Sequence, residues 1–417
     1  MIYCLFEDKV HDFLPLVYLR PVHDLLCGAL TLRQKWERVL PAGRLRIVVR
    51  EELHEFRSRP DLLATASAGP GEGIWMVNTR FLPDEGLKAA VRKEPATPRI
   101  LTAGESVAAA FIRGSDLKTL FPGRIAGIPE FSLLRGIRRE EISARPVSAS
   151  WDLVRLNAGE IAADRALLGS RLRPARPASH RGAHFVRGAG IYAGARTAIK
   201  PGAVIDAEQG PVIIGADVTV MPNAVIIGPA AIGSGTIIKA GAKIYGGTTI
   251  GERCKAGGEV EASVMLPYSN KQHEGFLGHS YLASWVNIGA DTNTSDLKNT
   301  YGPVSILRRG KKVDTGMQFL GLTMGDHSKS GINVMFDTGT VAGVCCNIYG
   351  AGLPPKEIPS FSWGGAGGFV LYDPARGYEV MKIVMARRDV RPGDDYARTV
   401  REVFIRTSTD REIAGVR

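Results

Sequence analysis

The stretch Ile214-Gly-Ala-Asp-Val-Thr-Val220-Met-Pro-Asn-Ala-Val-Ile226 decides the fold, because it places an apolar residue at every sixth position. The same spacing continues through Ile232, Ile238, Ile244, Ile250 and Ala256. A period of six fits neither the 3.6-residue repeat of an α-helix nor the two-residue alternation of a simple strand. It matches a hexapeptide β-solenoid, in which each hexad forms one flat face and three hexads close one triangular coil.

Two shorter runs with the same spacing flank this stretch. The earlier run joins it after a three-residue slip near Glu208-Gln-Gly210 and consists of Ala193, Ile199 and Ile205. The later run resumes after a long interruption and consists of Ile332, Thr338 and Val344. A glycine-rich β-sandwich is the alternative fold, but eight consecutive matches to one period argue against it.

Glycine follows three of the periodic residues, at Gly215, Gly233 and Gly251. Glycine adopts backbone conformations that are costly for residues with a side chain. We therefore expect these three glycines to form tight corners between the faces of the coil.

Length and composition indicate an ordinary globular protein with more than one domain. The chain has 417 residues, of which 44% are hydrophobic and 23% are charged, and a single core rarely grows to that size. No run approaches the roughly 18 apolar residues that a membrane span needs. The start, Met1-Ile-Tyr-Cys-Leu-Phe-Glu-Asp8, has no basic segment and does not resemble a signal peptide, so we expect a cytoplasmic protein. The five cysteines form no CxxC pair, and the adjacent Cys345 and Cys346 are expected to be small buried residues.

The formal net charge of +11 does not by itself indicate nucleic-acid binding. The basic residues are dispersed and are not interleaved with aromatic residues in one block, so we expect no nucleic-acid partner. A protein that handles phosphorylated small molecules would also gain from a positive field.

The sequence divides into four segments. Residues 1–170 predict an α/β domain, with strands at Ile2–Phe6, Leu45–Val49 and Ile74–Val77 and helices at Thr31–Leu40 and Ala158–Leu168. Residues 171–183 contain prolines and arginines and are expected to form a solvated linker. Residues 184–370 contain the solenoid, which ends in a glycine-rich loop at 361–368. Residues 371–417 form an extension whose helix, Asp395–Ile405, is expected to cap the open coil or pack on the first domain.

A polar, histidine-rich segment interrupts the regular hexads between Ser269 and Gly289. It contains His273 and His279, and His327 follows in a second polar segment, Gly325-Asp-His-Ser-Lys329. Catalytic groups are often mounted on loops that interrupt a rigid scaffold, and imidazole titrates near neutral pH. These histidines are therefore candidates for a general base.

The chain resembles a sugar nucleotidyltransferase family related to the bifunctional N-acetylglucosamine-1-phosphate uridyltransferase/glucosamine-1-phosphate N-acetyltransferase. The motifs that carry the resemblance in the first half are Leu5-Phe-Glu-Asp8, Leu19-Arg-Pro-Val22, Lys35-Trp36, Trp151-Asp-Leu153 and Asn157. Those in the second half are Lys200-Pro-Gly202, Gly257-Gly-Glu-Val260, Asn270-Lys-Gln-His273, Gly275-Phe-Leu-Gly-His279, Ser295-Asp-Leu-Lys-Asn299, Gly325-Asp-His-Ser-Lys329 and Phe361-Ser-Trp-Gly-Gly365. The resemblance implies a nucleotidyltransferase-like α/β domain followed by a left-handed parallel β-helix, which in such enzymes usually forms a homotrimer.

The resemblance also implies acetyl transfer from acetyl-CoA to an amino-sugar phosphate. His273 falls on the catalytic histidine and would accept a proton from the sugar amine as its nitrogen attacks the thioester. The residues expected to bind the substrate, a sugar phosphate or nucleotide sugar, are Lys243, Asn287, Lys271, His279 and Arg20. Those expected to bind coenzyme A are Asp296, Lys298, Gly325, Asp326 and His327. Two positions depart from the family pattern, because Glu261 replaces a lysine and Phe276 replaces a tyrosine.

The first domain is expected to transfer a nucleotidyl group to a sugar 1-phosphate, with Mg²⁺ and Asp152 as a metal ligand. The residues themselves give this little support. The first strand is followed by Glu7-Asp-Lys-Val-His-Asp12, which lacks the glycines that let backbone N–H groups approach phosphate. Val77-Asn-Thr-Arg80 occupies the place of the usual magnesium-binding aspartate.

Two alternatives remain at this stage. One is a zinc enzyme of the γ-carbonic-anhydrase type, with His273, His279 and His327 as three imidazole ligands. The other is a scaffold whose first domain binds a nucleotide sugar without turning it over. The acyltransferase hypothesis predicts affinity for coenzyme A, and the zinc-enzyme hypothesis predicts a bound metal ion. The scaffold hypothesis predicts neither.

Overall fold

The computed structural model describes residues 1–41, 43–56, 59–63, 68–121 and 125–416. They form two compact units. The first unit contains Met1–Phe13, Arg20–Leu25 and Leu30–Ala149. The second contains Leu14–Leu19, Leu26–Ala29 and Ser150–Arg417, so the division at 149/150 precedes the predicted boundary at 170.

The first unit is built on a six-stranded mixed sheet with the strand order β2-β1-β3-β5-β4-β6. Its strands are β1 (Ile2–Phe6), β2 (Leu45–Ile47), β3 (Gly73–Asn78), β4 (Arg99–Ala103), β5 (Ser106–Arg113) and β6 (Arg138–Glu141). Its helices are α1 (Leu32–Val39), α2 (Glu85–Arg92) and α3 (Leu117–Leu120). The three predicted strands are confirmed as β1, β2 and β3, which pair in parallel, although β2 is two residues shorter than expected.

The predicted first helix is confirmed with its cap. Thr31 Oγ1 accepts a hydrogen bond from Gln34 N at 3.1 Å, and Gln34 Oε1 accepts one from Thr31 N at 3.0 Å. This reciprocal capping box satisfies N–H groups that have no partner within the helix. Trp36 is fully buried, and its indole N–H donates to Phe81 O at 3.0 Å, which fixes α1 against the sheet.

The second unit is a parallel β-helix with flanking helices. Its helices are α4 (Ser150–Arg155), α5 (Asn157–Leu168), α6 (Pro374–Ala386), α7 (Asp394–Arg406) and α8 (Ser408–Ile413). Its strands up to the polar interruption are β7 (His184–Val186), β8 (Ile191–Ala193), β9 (Ala198–Ile199), β10 (Val204–Asp206), β11 (Val212–Ile214), β12 (Thr219–Val220), β13 (Val225–Ile227), β14 (Ala230–Ile232), β15 (Ile237–Ile238), β16 (Lys243–Ile244), β17 (Thr248–Ile250), β18 (Lys255–Ala256), β19 (Glu259–Glu261) and β20 (Val264–Met265). The remaining strands are β21 (Asn270–Lys271), β22 (Phe276–Gly278), β23 (Tyr281–Leu282), β24 (Asn293–Thr294), β25 (Ser305–Arg308), β26 (Lys311–Asp314), β27 (Thr323–Met324), β28 (Lys329–Ser330), β29 (Met335–Phe336), β30 (Val341–Ala342), β31 (Asn347–Ile348), β32 (Glu357–Ile358), β33 (Ser362–Gly365) and β34 (Gly368–Leu371).

The six-residue period produces the three predicted faces. Three sheets run along the coil, in the orders β7-β10-β13-β16-β19-β22, β8-β11-β14-β17-β20-β23-β27-β30-β32 and β9-β12-β15-β18-β21. All eight periodic residues from Ile214 to Ala256 point into one buried core and are at most 3% exposed. Along these strands, residues that point into the core alternate with residues on the outer face of the coil.

The three glycines have a different role from the one expected. Gly215, Gly233 and Gly251 do not adopt left-handed backbone angles, which are taken at neighbouring positions by residues such as Asp217 and Arg253. A Cβ atom on Gly233 would lie only 2.5 Å from the backbone nitrogen of Glu252 in the next coil, and Gly215 and Gly251 are as crowded. Glycine is therefore required because successive coils approach closely, not because of its conformational freedom.

The predicted later run, Ile332, Thr338 and Val344, is two residues out of step with the residues that fill the core of the coil. Ile332 is 69% exposed and lies outside the coil, while the core positions are occupied by Met324, Phe336, Ala342 and Ile348. Ser330 fills the core position nearest Ile332, where its Oγ accepts from Gly289 N at 2.9 Å. Because a hydrogen-bonded serine occupies the core position and an isoleucine stands outside the core, the apolar pattern in the sequence is displaced by two residues from the true core positions.

The segments around the coil also differ from expectation. The predicted glycine-rich loop at 361–368 is an antiparallel hairpin, β33–β34. The predicted linker forms backbone hydrogen bonds with β8, including Ala175 N to Ile191 O at 2.9 Å. The helix predicted at 395–405 is confirmed as α7, and it packs within the second unit through Tyr396, Val400 and Val403. None of the helices in the described ranges is long and apolar enough to cross a membrane.

The two early segments Leu14–Leu19 and Leu26–Ala29 complete the second unit. Thr249 Oγ1 donates to Gly28 O at 2.9 Å, and Tyr281 Oη donates to Leu26 O at 3.0 Å. Gly28 N donates to Asn157 Oδ1 at 2.6 Å. Buried backbone groups of these segments thus find their partners on α5 and on the β-helix.

We expect Ile238→Ala to lower the free energy of unfolding of the second unit by about 2–5 kcal/mol, because it leaves a cavity inside the coil. Ile237→Ala, in the same strand but directed outward, is the matched control and should cost about 1 kcal/mol or less. Urea titration followed by circular dichroism measures both. Equal losses for the two variants would contradict the assignment of the core face.

Candidate active site at the bend carrying His273

His273 lies on the exposed bend between β21 and β22. Its backbone carbonyl accepts a hydrogen bond from Lys271 Nζ at 2.6 Å, and the next carbonyl, that of Glu274, accepts one from the same amine at 3.1 Å. The bend is therefore fixed from inside the coil while the imidazole points to solvent. This is the arrangement that a general base on a rigid scaffold requires.

Lys271 occupies a core position of the coil and is only 1% exposed. It pairs in register with Ala256, which pairs in turn with Ile238. Desolvation lowers its pKa to about 8. Since its amine is engaged by two carbonyls, Lys271 anchors the bend instead of presenting the predicted substrate contact.

The hexad pattern hides this anchor because the coil becomes shorter at this point. Lys271 follows its register partner Ala256 by 15 residues, whereas Ala256 follows Ile238 by 18. A count by sixes therefore places Lys271 outside the core. A reading of the sequence that allowed coils of 15 as well as 18 residues would have placed Lys271 at a core position.

Basic side chains gather one coil before the bend. Desolvation, followed by repulsion from Arg388 and Lys239, lowers the pKa of Lys255. Arg388, from the segment between α6 and α7, also donates to Asn270 Oδ1 at 3.0 Å. The cations around Lys255 form a region of positive potential, which favours an anionic ligand such as a phosphate.

Sequence reasoning missed Arg388, because 117 residues separate it from Lys271 along the chain and no motif connects the two. Its proximity to Asn270 depends on the turn after α6. The only available signal was composition, since Arg387 and Arg388 stand side by side in the sequence.

The other residues expected to bind the substrate lie on outer faces of the same unit, apart from Arg20. Asn287 bridges Asn270 and Lys329 in the face that carries β21. Lys243 pairs with Glu259, which pairs with Phe276, so these three side chains form one column across β16, β19 and β22. The charge of Lys243 contributes to lowering the pKa of Lys271.

His279 lies at the opposite end of β22 from His273. Its Nδ1 is 2.7 Å from Asp296 Oδ2, so the structure unites a residue predicted to bind the sugar with one predicted to bind coenzyme A. His279 also lines a cleft of about 760 Å³ together with Glu261 and Phe319. The strand β22 thus separates two histidines with different surroundings.

The remaining residues expected to bind coenzyme A have structural contacts. Asp326 and His327 are buried, and His327 Nε2 is 2.6 Å from Tyr396 Oη beneath α7. Gly325 lies at a coil corner where a Cβ would meet Gly343 O at 2.7 Å. Lys298 donates to Pro303 O. The side chains of Asp326 and His327 are thus buried, and their contact with coenzyme A stays a prediction.

Arg20 belongs to the first unit, and its carbonyl accepts from Arg50 Nη2 at 3.2 Å. Arg50 also pairs with the buried Glu7 at 2.7 Å. Asp8, the next residue after β1, pairs with the buried Arg80 through both carboxylate oxygens. Arginines therefore occupy the carboxyl ends of the parallel strands, where ligands bind in open α/β sheets.

These contacts do not fit a magnesium site in the first unit. Mg²⁺ needs carboxylate oxygens that are free to coordinate it, whereas those of Glu7 and Asp8 are paired with Arg50 and Arg80. Asp152, the predicted metal ligand, lies on α4 in the second unit and pairs with Arg155 at 2.7 Å, which corrects its assignment to the first domain.

The structure does not assemble the three-imidazole zinc site of the alternative hypothesis. His273 is exposed at one end of β22, His279 is paired with Asp296 at the other, and His327 is buried beneath α7. In the described parts of the chain, no group of three or more His, Cys, Asp or Glu side chains is placed to hold a metal ion. All five cysteines lie in the described residues, are buried and form no disulfide.

Comparison with protein families matches both parts of the chain. Residues 3–172 match the model of the family described as sugar nucleotidyl transferase. Residues 211–246 match the bacterial transferase hexapeptide model, which consists of six repeats. The chain thus combines a domain that matches the sugar nucleotidyl transferase model with a parallel β-helix of hexapeptide repeats, which confirms the expected fold class.

Curated relatives match a part of the chain. A bifunctional sugar-1-phosphate nucleotidylyltransferase/acetyltransferase of Sulfurisphaera tokodaii is 31% identical over 113 residues, which is 27% of this chain and 28% of the relative. A bifunctional protein GlmU of Methanocaldococcus jannaschii is 33% identical over 102 residues, 24% of this chain and 25% of the relative. The chain therefore spans about a quarter of the length of the curated relatives it matches. Among solved structures, a UDP-N-acetylglucosamine acyltransferase of Francisella novicida is 13% identical, with a TM-score of 0.33 over 57% of this chain and 86% of its own.

The buried amine of Lys271 predicts a distinct pH dependence of stability. Its pKa is about 8 in the folded chain against an ordinary value of 10.5, so the unfolded chain binds more protons between these values. The free energy of unfolding should therefore rise with pH across this interval, relative to Lys271→Met.

Urea titrations of both proteins at several pH values from 8 to 10.5 measure this difference. Lys312→Met, on the exposed hairpin strand β26, is the control and should show no such trend relative to the unmodified chain. A constant difference between Lys271→Met and the unmodified chain would contradict the lowered pKa.

Proposed function

We propose that the second unit transfers an acetyl group from acetyl-CoA to the amine of an amino-sugar phosphate, with His273 as the general base. The observation that carries this proposal is the exposed imidazole on a bend whose two carbonyls are held by the buried Lys271 amine. The match to hexapeptide transferases and the relatives named as acetyltransferases support the same reaction class.

In the proposed reaction, the amine nitrogen attacks the thioester carbonyl while His273 takes a proton from the nitrogen. A C–N bond forms, the C–S bond breaks, and coenzyme A leaves as the thiol after receiving the proton. Because the acceptor amine must lose its proton as it attacks, the base contributes about 10²–10⁴-fold to the rate. Bound acetyl-CoA supplies the activated acyl group.

The positive region near the bend supports a phosphorylated acceptor. Lys255 and Lys239 lie close enough for their charges to interact, and Arg388 adds a third cation beside Asn270. Such a group attracts a phosphate dianion, and positive charge increases the rate at which anionic substrates arrive. Lys243 extends this charge along the adjacent face of the coil.

Nucleotidyl transfer to a sugar 1-phosphate is the reaction that the family match suggests for the first unit, and we include it in the proposal. Since Glu7 and Asp8 are paired with arginines, we derive no metal-dependent step from this unit. Its expected readout is the release of pyrophosphate from UTP.

We further propose a homotrimer, as hexapeptide enzymes usually form. Large apolar side chains on the outside of the β-helix support an assembly, including Ile332 at 69% and Met335 at 46% exposure. Light scattering of the purified protein gives the mass of the assembly.

His273→Ala should reduce acetyl transfer about 10²–10⁴-fold, because it removes the base without touching the core. The measurement is release of free thiol from acetyl-CoA in the presence of a panel of amino-sugar phosphates. His184→Ala is the matched control, since His184 is exposed on β7 of the same β-helix, and it should retain full activity.

The outcome that contradicts the assignment is near-normal thiol release by His273→Ala. A UTP assay for pyrophosphate is run in parallel to test the first unit. Release of pyrophosphate without release of free thiol would assign the activity to the first unit alone. Absence of both products would favour the scaffold hypothesis.

A further inference from the structure

The first coil of the β-helix, formed by β7, β8 and β9, carries the terminal strand of each of the three sheets. The backbone groups along its outer edge therefore need partners other than a neighbouring coil. The segment before the coil supplies some of them. At β8, Ala193 N donates to Arg173 O at 3.0 Å, and at β9, Ile199 N donates to Nδ1 of His180 at 3.4 Å.

The N–H group of Arg196, at the corner between β8 and β9, finds no hydrogen-bond partner in the described part of the chain. In later coils, the residue in the same column donates to the coil before it, as Asp217 N does to Ala195 O at 2.9 Å and Arg253 N to Ser234 O at 2.8 Å. Arg196, Asp217 and Arg253 all adopt left-handed backbone angles, so their N–H groups have the same direction. The N–H of Arg196 therefore points to the space that an earlier coil would fill.

A pocket of about 660 Å³ lies at this corner, between residues 193–197 of the first coil and residues 173–180 of the segment before it. The charged side chains that line it are all arginines, Arg173, Arg176 and Arg196. Arg196 is paired with both carboxylate oxygens of Asp217, at 2.6 and 2.7 Å. In the described part of the chain, no carboxylate pairs with Arg173 or Arg176. These two guanidinium groups give the pocket a positive potential.

His180 adds a neutral donor to the same pocket. Because its Nδ1 accepts from Ile199 N, the ring carries its proton on Nε2. Burial lowers the pKa of His180, which favours this neutral form. The ring also stacks on Phe185, with centroids 5.9 Å apart, so the imidazole is held in place. The Nε2–H group of His180 is thus a fixed donor in the wall of the pocket.

We propose that this pocket is an anion site, which binds the diphosphate group of a small molecule. Arg173 and Arg176 each bind phosphate oxygens through two N–H groups, the geometry that a planar guanidinium favours. The backbone N–H of Arg196 and the Nε2–H of His180 bind further oxygens. Together these donors engage more acceptor atoms than one phosphate group offers, which selects a diphosphate over orthophosphate.

The pocket is remote from the bend that carries His273. It borders β9, at one end of the sheet β9-β12-β15-β18-β21, whereas the bend follows β21 at the other end. Four strand spacings of about 4.8 Å separate these ends, a distance of about 19 Å. The proposal therefore does not depend on the proposed acetyl transfer.

The test is a calorimetric titration of the full chain with pyrophosphate and with orthophosphate, at neutral pH and without divalent metal ions. We expect pyrophosphate to bind more tightly than orthophosphate. Arg173→Gln and Arg176→Gln should each weaken pyrophosphate binding about tenfold, because each removes hydrogen bonds from a charged donor to the anion.

Arg181→Gln is the matched control, because Arg181 is an exposed arginine of the same segment that does not line the pocket. It changes the net charge by the same amount as the other two variants and should leave pyrophosphate affinity unchanged. Circular dichroism of each variant confirms that the β-helix is intact.

Hydrogen–deuterium exchange locates the bound ion independently. Pyrophosphate should slow exchange in a peptide that covers residues 194–198, since this peptide contains the N–H of Arg196. Exchange in a peptide that covers the equivalent corner at 233–236 should not change, because Gly235 N already donates to Ala216 O at 2.9 Å.

Three results would overturn the proposal. They are absence of detectable pyrophosphate binding, equal effects of Arg173→Gln and Arg181→Gln, and slowed exchange that excludes residues 194–198. His273→Ala should bind pyrophosphate with unchanged affinity, whatever its rate of thiol release. A loss of affinity in that variant would place the anion at the bend and contradict the proposal.

Discussion

The hydrogen bonds that join each coil of the β-helix to the next are the constraint on which the rest of the second unit depends. They bring backbones so close that a Cβ at Gly233 would overlap the nitrogen of Glu252. At this spacing, every core position must be filled by a side chain of suitable size, and every buried polar group needs a partner. The candidate sites arise where the chain departs from the regular coil while keeping these bonds. The shortened coil that ends at Lys271 is one such departure, and the segment that brings Asp296 to His279 is another.

The two ends of β22 provide different chemical environments within a short distance along one strand. At one end, a buried ammonium group fixes the backbone and surface cations lie one coil away. At the other end, a carboxylate orients an imidazole in a cleft that also contains Glu261. A rigid strand between them keeps the two environments apart. Glu261, which stands where a lysine was expected, lines this cleft together with His279.

The sequence predicted the fold well and the site only in part. The period of six fixed the three faces from Ile214 to Ala256, because the core residues there are uniformly aliphatic. The frame failed where polar residues replace them, as at Ser330 and Lys271, since hydrophobicity no longer marks the core. The motif singles out His273 as a candidate base, whereas the role of Lys271 in holding the bend is not visible in the sequence. The pairing of His279 with Asp296 and the approach of Arg388 to Asn270 join residues distant in the chain, which no local pattern encodes. Pairing of the carboxylates of Glu7 and Asp8 with arginines was likewise invisible in the sequence.

The participation of residues 14–19 and 26–29 in the second unit limits how this protein can evolve by recombination. Because Leu26 and Gly28 supply acceptors for Tyr281 and Thr249, a gene fragment that begins near residue 150 encodes a β-helix without these buried partners. The two units are therefore not interchangeable modules, and exchanging the N-terminal half for that of another protein would also remove part of the other unit. Selection acts on the first thirty residues through the stability of both units. Changes in that segment are consequently expected to be inherited together with compensating changes more than two hundred residues away.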